Sequence, residues 1–228
     1  LPDLGDNIQF GNSLVSQTEL NGISGANHQM MEIAPFDWST INNGCGFDVI
    51  IGNPPYVNTE GMHALLPSAE VEIYKKKYKT SHKQFDKYFI FIEQAINKIN
   101  ENGLVCYIVP NKFFKIGAGE KLRNLIAKER MLVSLDDFGD AQLFEDKTIY
   151  SSIILLSKAK QTSFVYSSVD SANKLWAGEE VSSIELNSSV LNKLPWRLTT
   201  DFEFLTMLQR LDEVSVPITK HAEIFNGI

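Results

Sequence analysis

The sequence predicts an α/β fold built on an open sheet of parallel strands. Three observations predict it. Short apolar runs bounded by glycine, proline and asparagine recur from Phe47 onward. Stretches with apolar residues at helical spacing lie between them, and the two kinds alternate along the chain.

In chain order, residues 7–15 read as a short strand and turn, and 22–35 as a polar loop. Phe47–Gly52 is an apolar run held between Gly46 and Asn53-Pro54-Pro55, which predicts a buried strand. Residues 85–100 carry Phe89, Ile92, Ile96 and Ile99 on one helical face, with Asn102-Gly103 as the stop. Residues 104–109 form a second buried strand ended by Pro110. A helix over 119–130 and a third strand over 131–135 follow. The β-branched run 149–156 is a fourth strand. Beyond Lys158 come short strands at 163–166 and 182–186. A helix over 196–214 then places Phe202, Leu205, Leu208 and Leu211 on one face.

Composition excludes several classes. With 228 residues the chain can bury a sizeable core. No apolar run approaches the ~20 residues that span a bilayer, and no basic segment followed by an apolar stretch opens the chain. No membrane partner is expected. Cys45 and Cys106 are the only cysteines and form no CxxC pair, so neither a zinc site nor a disulfide framework is expected, although one disulfide stays open. A reducing cytoplasm fits that cysteine usage. The net charge of −7 argues against a surface that grips phosphate everywhere. It leaves room for a local basic patch: Lys75, Lys76, Lys77, Lys79 and Lys83, interleaved with Tyr74 and Tyr78. The plain reading of that run is a solvated face. His28, His63, His82 and His221 show no metal spacing. Asp136, Asp137 and Asp140 read as solvated loop charge, and Trp38, Trp176 and Trp196 as packing residues.

The chemistry is concentrated in Phe47-Asp48-Val49-Ile50-Ile51-Gly52-Asn53-Pro54-Pro55-Tyr56. In an open α/β sheet, ligands sit beyond the carboxyl ends of the strands, where Asn53 to Tyr56 fall. Consecutive prolines stiffen the turn and have no N–H to donate. The Asn53 amide oxygen and the Pro54 carbonyl can therefore accept both hydrogens of one exocyclic amino group, while Tyr56 offers a flat face to a base. Such an arrangement suits methylation of an aromatic amine. Its nitrogen lone pair is delocalised, and two acceptors favour a more tetrahedral nitrogen and stabilise its developing positive charge. The alternative is a strand followed by a stiff turn with a packed tyrosine.

Phe47–Tyr56 resembles motif IV of the N6-adenine-specific DNA methyltransferases of type IIG-like restriction–modification systems. The likeness continues in order. Asp86-Lys87-Tyr88-Phe89-Ile90-Phe91-Ile92-Glu93 is similar to that family's next helix. Gly103-Leu104-Val105-Cys106-Tyr107-Ile108-Val109-Pro110-Asn111 is similar to its next strand and turn. Leu143-Phe144-Glu145-Asp146-Lys147-Thr148 is similar to the loop whose Phe packs on the flipped base. Asn7-Ile8-Gln9-Phe10-Gly11-Asn12-Ser13-Leu14 is similar to motif III, which meets the donor's adenine. The resemblance covers about residues 7–158.

The resemblance implies a partial Rossmann-like, S-adenosylmethionine-dependent methyltransferase domain lacking its N-terminal strands, over residues 1–195. Residues 196–228 would be a linker helix and the start of a target-recognition domain. It implies Asn53, Pro54 and Tyr56 as catalytic residues, Gly11, Asn12 and Pro55 at the cofactor, and Phe144 and Lys147 at the substrate. Double-stranded DNA with a flipped adenine would be the partner, and the lysine run would lie near its phosphates. The chain opens at Leu1 and ends mid-pattern at Ile228, so it is expected to be an excised piece. The Gly-rich motif that holds the donor's methionine part is missing. The cofactor site should therefore be incomplete, and the piece alone inactive. Motif III carries Asn12 where some relatives have Asp. Any endonuclease domain would lie elsewhere on the parent chain. Two rivals remain: a methyltransferase acting on protein glutamine or an RNA base, and a non-catalytic DNA-specificity module with the same fold.

Overall fold

The computed structural model describes residues 7–21, 31–41, 45–142 and 150–223. Its strands are β1 (Phe47–Gly52), β2 (Ile99–Pro110), β3 (Leu132–Gln142), β4 (Tyr150–Ser157), β5 (Ser163–Ser168) and β6 (Ser182–Asn187). They form one sheet in the order β1-β2-β4-β3-β5-β6. The helices are α1 (Gln17–Leu20), α2 (Thr59–Leu65), α3 (Ser68–Lys77), α4 (Lys87–Lys98), α5 (Glu120–Lys128), α6 (Ala172–Trp176) and α7 (Phe202–Val214).

The sheet is mixed, not parallel. β1 runs parallel to β2, and β3 parallel to β5. β4 is antiparallel to both β2 and β3. Chain length explains the reversal: only residues 143–149 separate β3 from β4, and a parallel crossover takes a dozen or more. The crossover from β1 to β2 is long and carries α2, α3 and α4. Helix α4 buries Tyr88, Phe89, Ile90, Ile92, Ala95 and Ile96. Each such large apolar side chain contributes about 1.5–3 kcal/mol by leaving water. The core fills around it with Val105, Tyr107 and Val109 of β2 and Tyr74 of α3.

Several sequence expectations shift. β1 is a strand but not a buried one: Val49 is 51% and Ile51 77% exposed. It sits at the sheet edge, and an apolar run between turns does not disclose its place in a sheet. Residues 7–15 form no strand. Gly11 at φ +146° breaks the extension, and the Asn12 side chain closes a turn by accepting from Leu14 N at 3.1 Å. Only an isolated bridge, Asn12 to Pro35, remains.

Helix α4 ends at Lys98, before Asn102-Gly103, and the chain passes directly into β2. Gly103 serves strand packing instead of capping, since a Cβ there would lie 2.7 Å from the Phe47 carbonyl oxygen of β1. β3 runs on through Asp136, Asp137 and Asp140, which are strand residues and not loop charge. Pairing to β4 on one side and β5 on the other holds Asp136 and Asp137 in the strand. α7 begins at Phe202, not Trp196, because Trp196 is drawn into the core, where its ring stacks on Phe114 at 5.9 Å.

Candidate methyl-transfer site

β1 ends at Gly52, and residues 53–57 follow without regular structure until Asn58 caps α2 by accepting from Gly61 N at 2.8 Å. The loop is pinned to the start of α4. Lys87 N donates to the Val57 carbonyl at 2.7 Å, and the Thr59 hydroxyl to the Phe85 carbonyl at 2.7 Å. Asn58 bridges Asp86. Within the loop, Asn53 and Pro55 are exposed, Pro54 is buried and Tyr56 is half-buried.

Tyr56 is fixed from two sides. Its hydroxyl donates to the Ile108 carbonyl at 2.9 Å and also meets Oδ1 of the Asn53 side chain. Its ring packs edge-on against Tyr88, 6.1 Å between centroids and 81° apart. Burial pushes the Tyr56 hydroxyl up to about 12, so it stays protonated at neutral pH. The structure thus brings Asn53, Pro54 and Tyr56 together at the carboxyl end of β1.

Behind them lie residues that sequence reasoning missed. Tyr88 donates to the Pro110 carbonyl at 3.2 Å. Lys112 pairs with buried Asp86 at 2.9 Å. Asp137 accepts from Asn111 Nδ2 at 2.8 Å, Gly139 N at 3.0 Å and the Tyr166 hydroxyl at 3.3 Å. The available signal was the Pro110-Asn111-Lys112 turn at the carboxyl end of β2, where the sheet rule puts ligands.

Gly11 and Asn12 lie apart from this loop but are joined to it through side chains. Asn12 Nδ2 donates to Glu70 Oε1 at 3.0 Å and to the Tyr74 hydroxyl at 3.2 Å. Lys87, whose backbone holds Val57, approaches Glu70 at 3.6 Å. Burial lowers the Lys87 pKa, partly offset by Glu70. Both Asn12 amide hydrogens are therefore committed to protein. Its Oδ1 accepts one bond, from Leu14 N, and keeps a second lone pair. Phe144 and Lys147 lie outside the described residues.

The lysine run divides. Lys77 is half-buried, donating to the Leu14 carbonyl at 2.9 Å and pairing with Glu19 at 3.2 Å, and Lys75 pairs with Glu72 at 3.2 Å. Lys75, Lys76, Lys79 and Lys83 are exposed. Trp38 and Trp196 do pack, through bonds to the Ser13 and Asn192 carbonyls at 2.9 Å each. Trp176 is 63% exposed and does not. Cys45 and Cys106 are free thiols. No His, Cys, Asp and Glu cluster among the described residues could hold a metal ion, and no helix among them is long and apolar enough to cross a membrane.

The model of the Eco57I restriction-modification methylase family matches residues 6–144. The chain belongs to that family. It is 37% identical over 231 residues to the type II restriction enzyme and methyltransferase RM.Eco57I of Escherichia coli, a match covering 100% of this chain and 22% of that protein. It is 27% identical over 199 residues to the type II methyltransferase M.XhoI of Xanthomonas vasicola, covering 80% of this chain and 35% of that one. The chain therefore spans about a fifth to a third of these relatives. Among solved structures, the DrdV–DNA complex resembles it with TM-score 0.54 and 17% identity, over 83% of this chain and 21% of that one. That similarity is one of fold.

Proposed function

We propose that this chain carries the catalytic part of a DNA methyltransferase that transfers the methyl of S-adenosylmethionine to adenine N6 in a restriction–modification system. The observation that carries the reading is the loop at the end of β1. Asn53 is open to solvent, Pro54 is buried next to it and has no N–H to donate, and Tyr56 is held beside them by its bond to Ile108. In this reading the Asn53 amide oxygen and the Pro54 carbonyl would accept the two hydrogens of adenine N6, and the half-buried Tyr56 ring would supply a stacking face. Family membership and the restriction–modification relatives support the same reading.

The residues present fit one edge of the donor. Asn12 Oδ1 retains a lone pair for an adenine amino group, and the exposed Gly11 and Pro55 leave room for close approach. When bound, S-adenosylmethionine supplies an electrophilic methyl. The chain's own residues do the rest. Asn53 Oδ1 and the Pro54 carbonyl accept the amine hydrogens and stabilise charge that grows on nitrogen. Tyr56 stacks on the extruded base, since adenine N6 within a duplex is paired and out of reach. None of these groups changes protonation: the N6–CH3 bond would form as the sulfonium S–CH3 bond breaks, and the surplus N6 proton would pass to water after transfer, so the loop need supply no general base. Exposed Lys75, Lys76, Lys79 and Lys83, just beyond the loop in sequence, would face DNA phosphate. Phe144 and Lys147 would complete the base pocket, and α7 would open the recognition domain.

The test is Asn53→Ala in the full-length protein. Loss of an acceptor used mainly in the transition state costs about 10²–10³-fold in rate. Methyl transfer to unmodified DNA should fall by that factor while the melting temperature holds. Transfer at the wild-type rate would remove Asn53, and this reading, from the site.

A further inference from the structure

The Tyr56 hydroxyl makes two contacts but has one proton. It lies 2.9 Å from the Ile108 carbonyl and also touches the Asn53 side chain, at the atom the structure assigns as Oδ1. A phenol donates once and accepts through its lone pairs. The Ile108 carbonyl can only accept. Asn53 can do either, because an amide has nearly the same shape either way round, and proton accounting decides its orientation.

The sheet settles which partner takes the proton. Successive residues of a strand direct their carbonyls alternately to one neighbour and the other. Val109 directs its carbonyl toward β4, where Ser152 donates to it at 3.2 Å. Ile108 therefore directs its own toward the β1 side. There, β1 has already ended at Gly52, paired opposite Tyr107. The Ile108 carbonyl lies one residue beyond the last rung, and the Tyr56 hydroxyl takes the place that a strand N–H would fill. Leaving a part-buried carbonyl without a donor costs free energy, whereas exposed Asn53 can exchange with water. Burial keeps the phenol protonated, so the proton is present at any working pH.

Accordingly, we infer that the Tyr56 hydroxyl donates to the Ile108 carbonyl and accepts from Asn53 Nδ2, which turns Asn53 Oδ1 outward to receive the substrate amine. Tyr56 thus acts twice: its ring stacks, and its hydroxyl is a positioning group that fixes which end of the Asn53 amide meets the substrate. Without it, the amide can rotate and present an N–H to an amino group, which is repulsive. This inference rests on the methyl-transfer reading above and adds to it the source of the amide's orientation.

The test uses the full-length protein with a duplex carrying its methylated sequence, mapped beforehand, and 2-aminopurine at the target position. Tyr56→Phe keeps the ring and loses the hydroxyl. Single-turnover methyl transfer should fall about tenfold, the worth of one oriented hydrogen bond, with DNA affinity and the flipping signal unchanged. In an Asn53→Asp background, the two carboxylate oxygens are equivalent and need no orienting. There the same change should cost less than about twofold.

Transfer by Tyr56→Phe at the wild-type rate overturns the inference, as does an equal loss in both backgrounds. Neither result touches the methyl-transfer reading, which stands or falls on Asn53→Ala. The orientation can also be read without activity by neutron diffraction from crystals of the wild-type protein. Both Asn53 amide deuterons should lie on the side of Tyr56, and the Tyr56 deuteron on the side of Ile108. A Tyr56 deuteron pointing at Asn53 overturns the inference whatever the kinetics, including where Asn53→Asp transfers no methyl.

Discussion

In the proposed reaction Asn53 and Pro54 act as fixed dipoles. Neither titrates, and both are held by a loop whose two ends are tied down, at the sheet by Tyr56 to Ile108 and at α4 by Lys87 N to Val57. Preorganisation of this kind avoids reorientation at the moment charge develops. In the proposed reaction Tyr56 supplies the base-stacking surface, which can return roughly 1–3 kcal/mol per base against an extrusion cost of a few kcal/mol that is least at a mismatch. Tyr56→Ala should therefore weaken binding to a paired target by roughly tenfold or more. It should weaken binding to a target with mismatched adenine less. Fluorescence of 2-aminopurine at the target, titrated with wild type and variant, reads both. Equal affinity and equal signal for the two proteins would take Tyr56 out of the base pocket.

At the scale of elements, the turn after β2 is held by one buried cation. Arg123 of α5 is 2% exposed and donates to three carbonyls, Phe113 at 2.5 Å, Ile116 at 2.8 Å and Lys193 at 3.1 Å. Trp196 N donates to the Phe114 carbonyl at 2.9 Å, so residues 193–196 are sewn onto the same turn. Replacing Arg123 by Leu leaves those carbonyls without donors, a loss of about 2–4 kcal/mol. That corresponds to a fall in melting temperature of roughly 5–10 °C at this chain length. Calorimetry would check it, and an unchanged melting temperature would mean that water or another donor serves the turn.

Elements differed in how far the sequence disclosed them. α4 and β2 were legible because their apolar periods are strong and their neighbours bury them. The direction of β4 was not, because β-branched residues favour a strand without specifying its partner's sense. The extent of β3 was hidden by its aspartates, which are poor strand formers held by pairing on both sides. In the site, Asn53-Pro54-Pro55-Tyr56 could be read directly because side-chain identity carries the chemistry. The Ile108 carbonyl and the Asp86–Lys112 pair could not, since they depend on tertiary approach between residues 26 or more apart. The use of Asn12 in a turn and a Glu70–Tyr74 cluster was likewise invisible, because a side chain that could face a ligand can equally satisfy the fold.

Over the whole molecule, buried tyrosines set the alkaline limit. Burial pushes Tyr56 and Tyr107 up to about 12, and also raises Tyr74, Tyr78, Tyr88 and Tyr166 above the ordinary phenol value. The unfolded chain ionises these groups near pH ~10, while the folded chain keeps them neutral. Their contribution to stability is therefore complete below pH ~10 and is lost as pH rises through about 12. The melting temperature should not fall on their account up to pH ~9 and should fall steeply above pH ~10, with phenolate absorbance appearing together with unfolding. Phenolate appearing well before unfolding would mean that these hydroxyls are open to solvent.

The proposed reaction is methylation of adenine N6 at the loop that ends β1. Its most direct measurement is nucleoside analysis by mass spectrometry of unmodified duplex DNA after incubation of the full-length protein with S-adenosylmethionine. N6-methyladenine is expected as the methylated nucleoside, reduced about 10²–10³-fold when Asn53→Ala replaces the wild type. Methylated cytosine in its place, methyl found on protein or RNA instead of DNA, or undiminished N6-methyladenine from Asn53→Ala would contradict it.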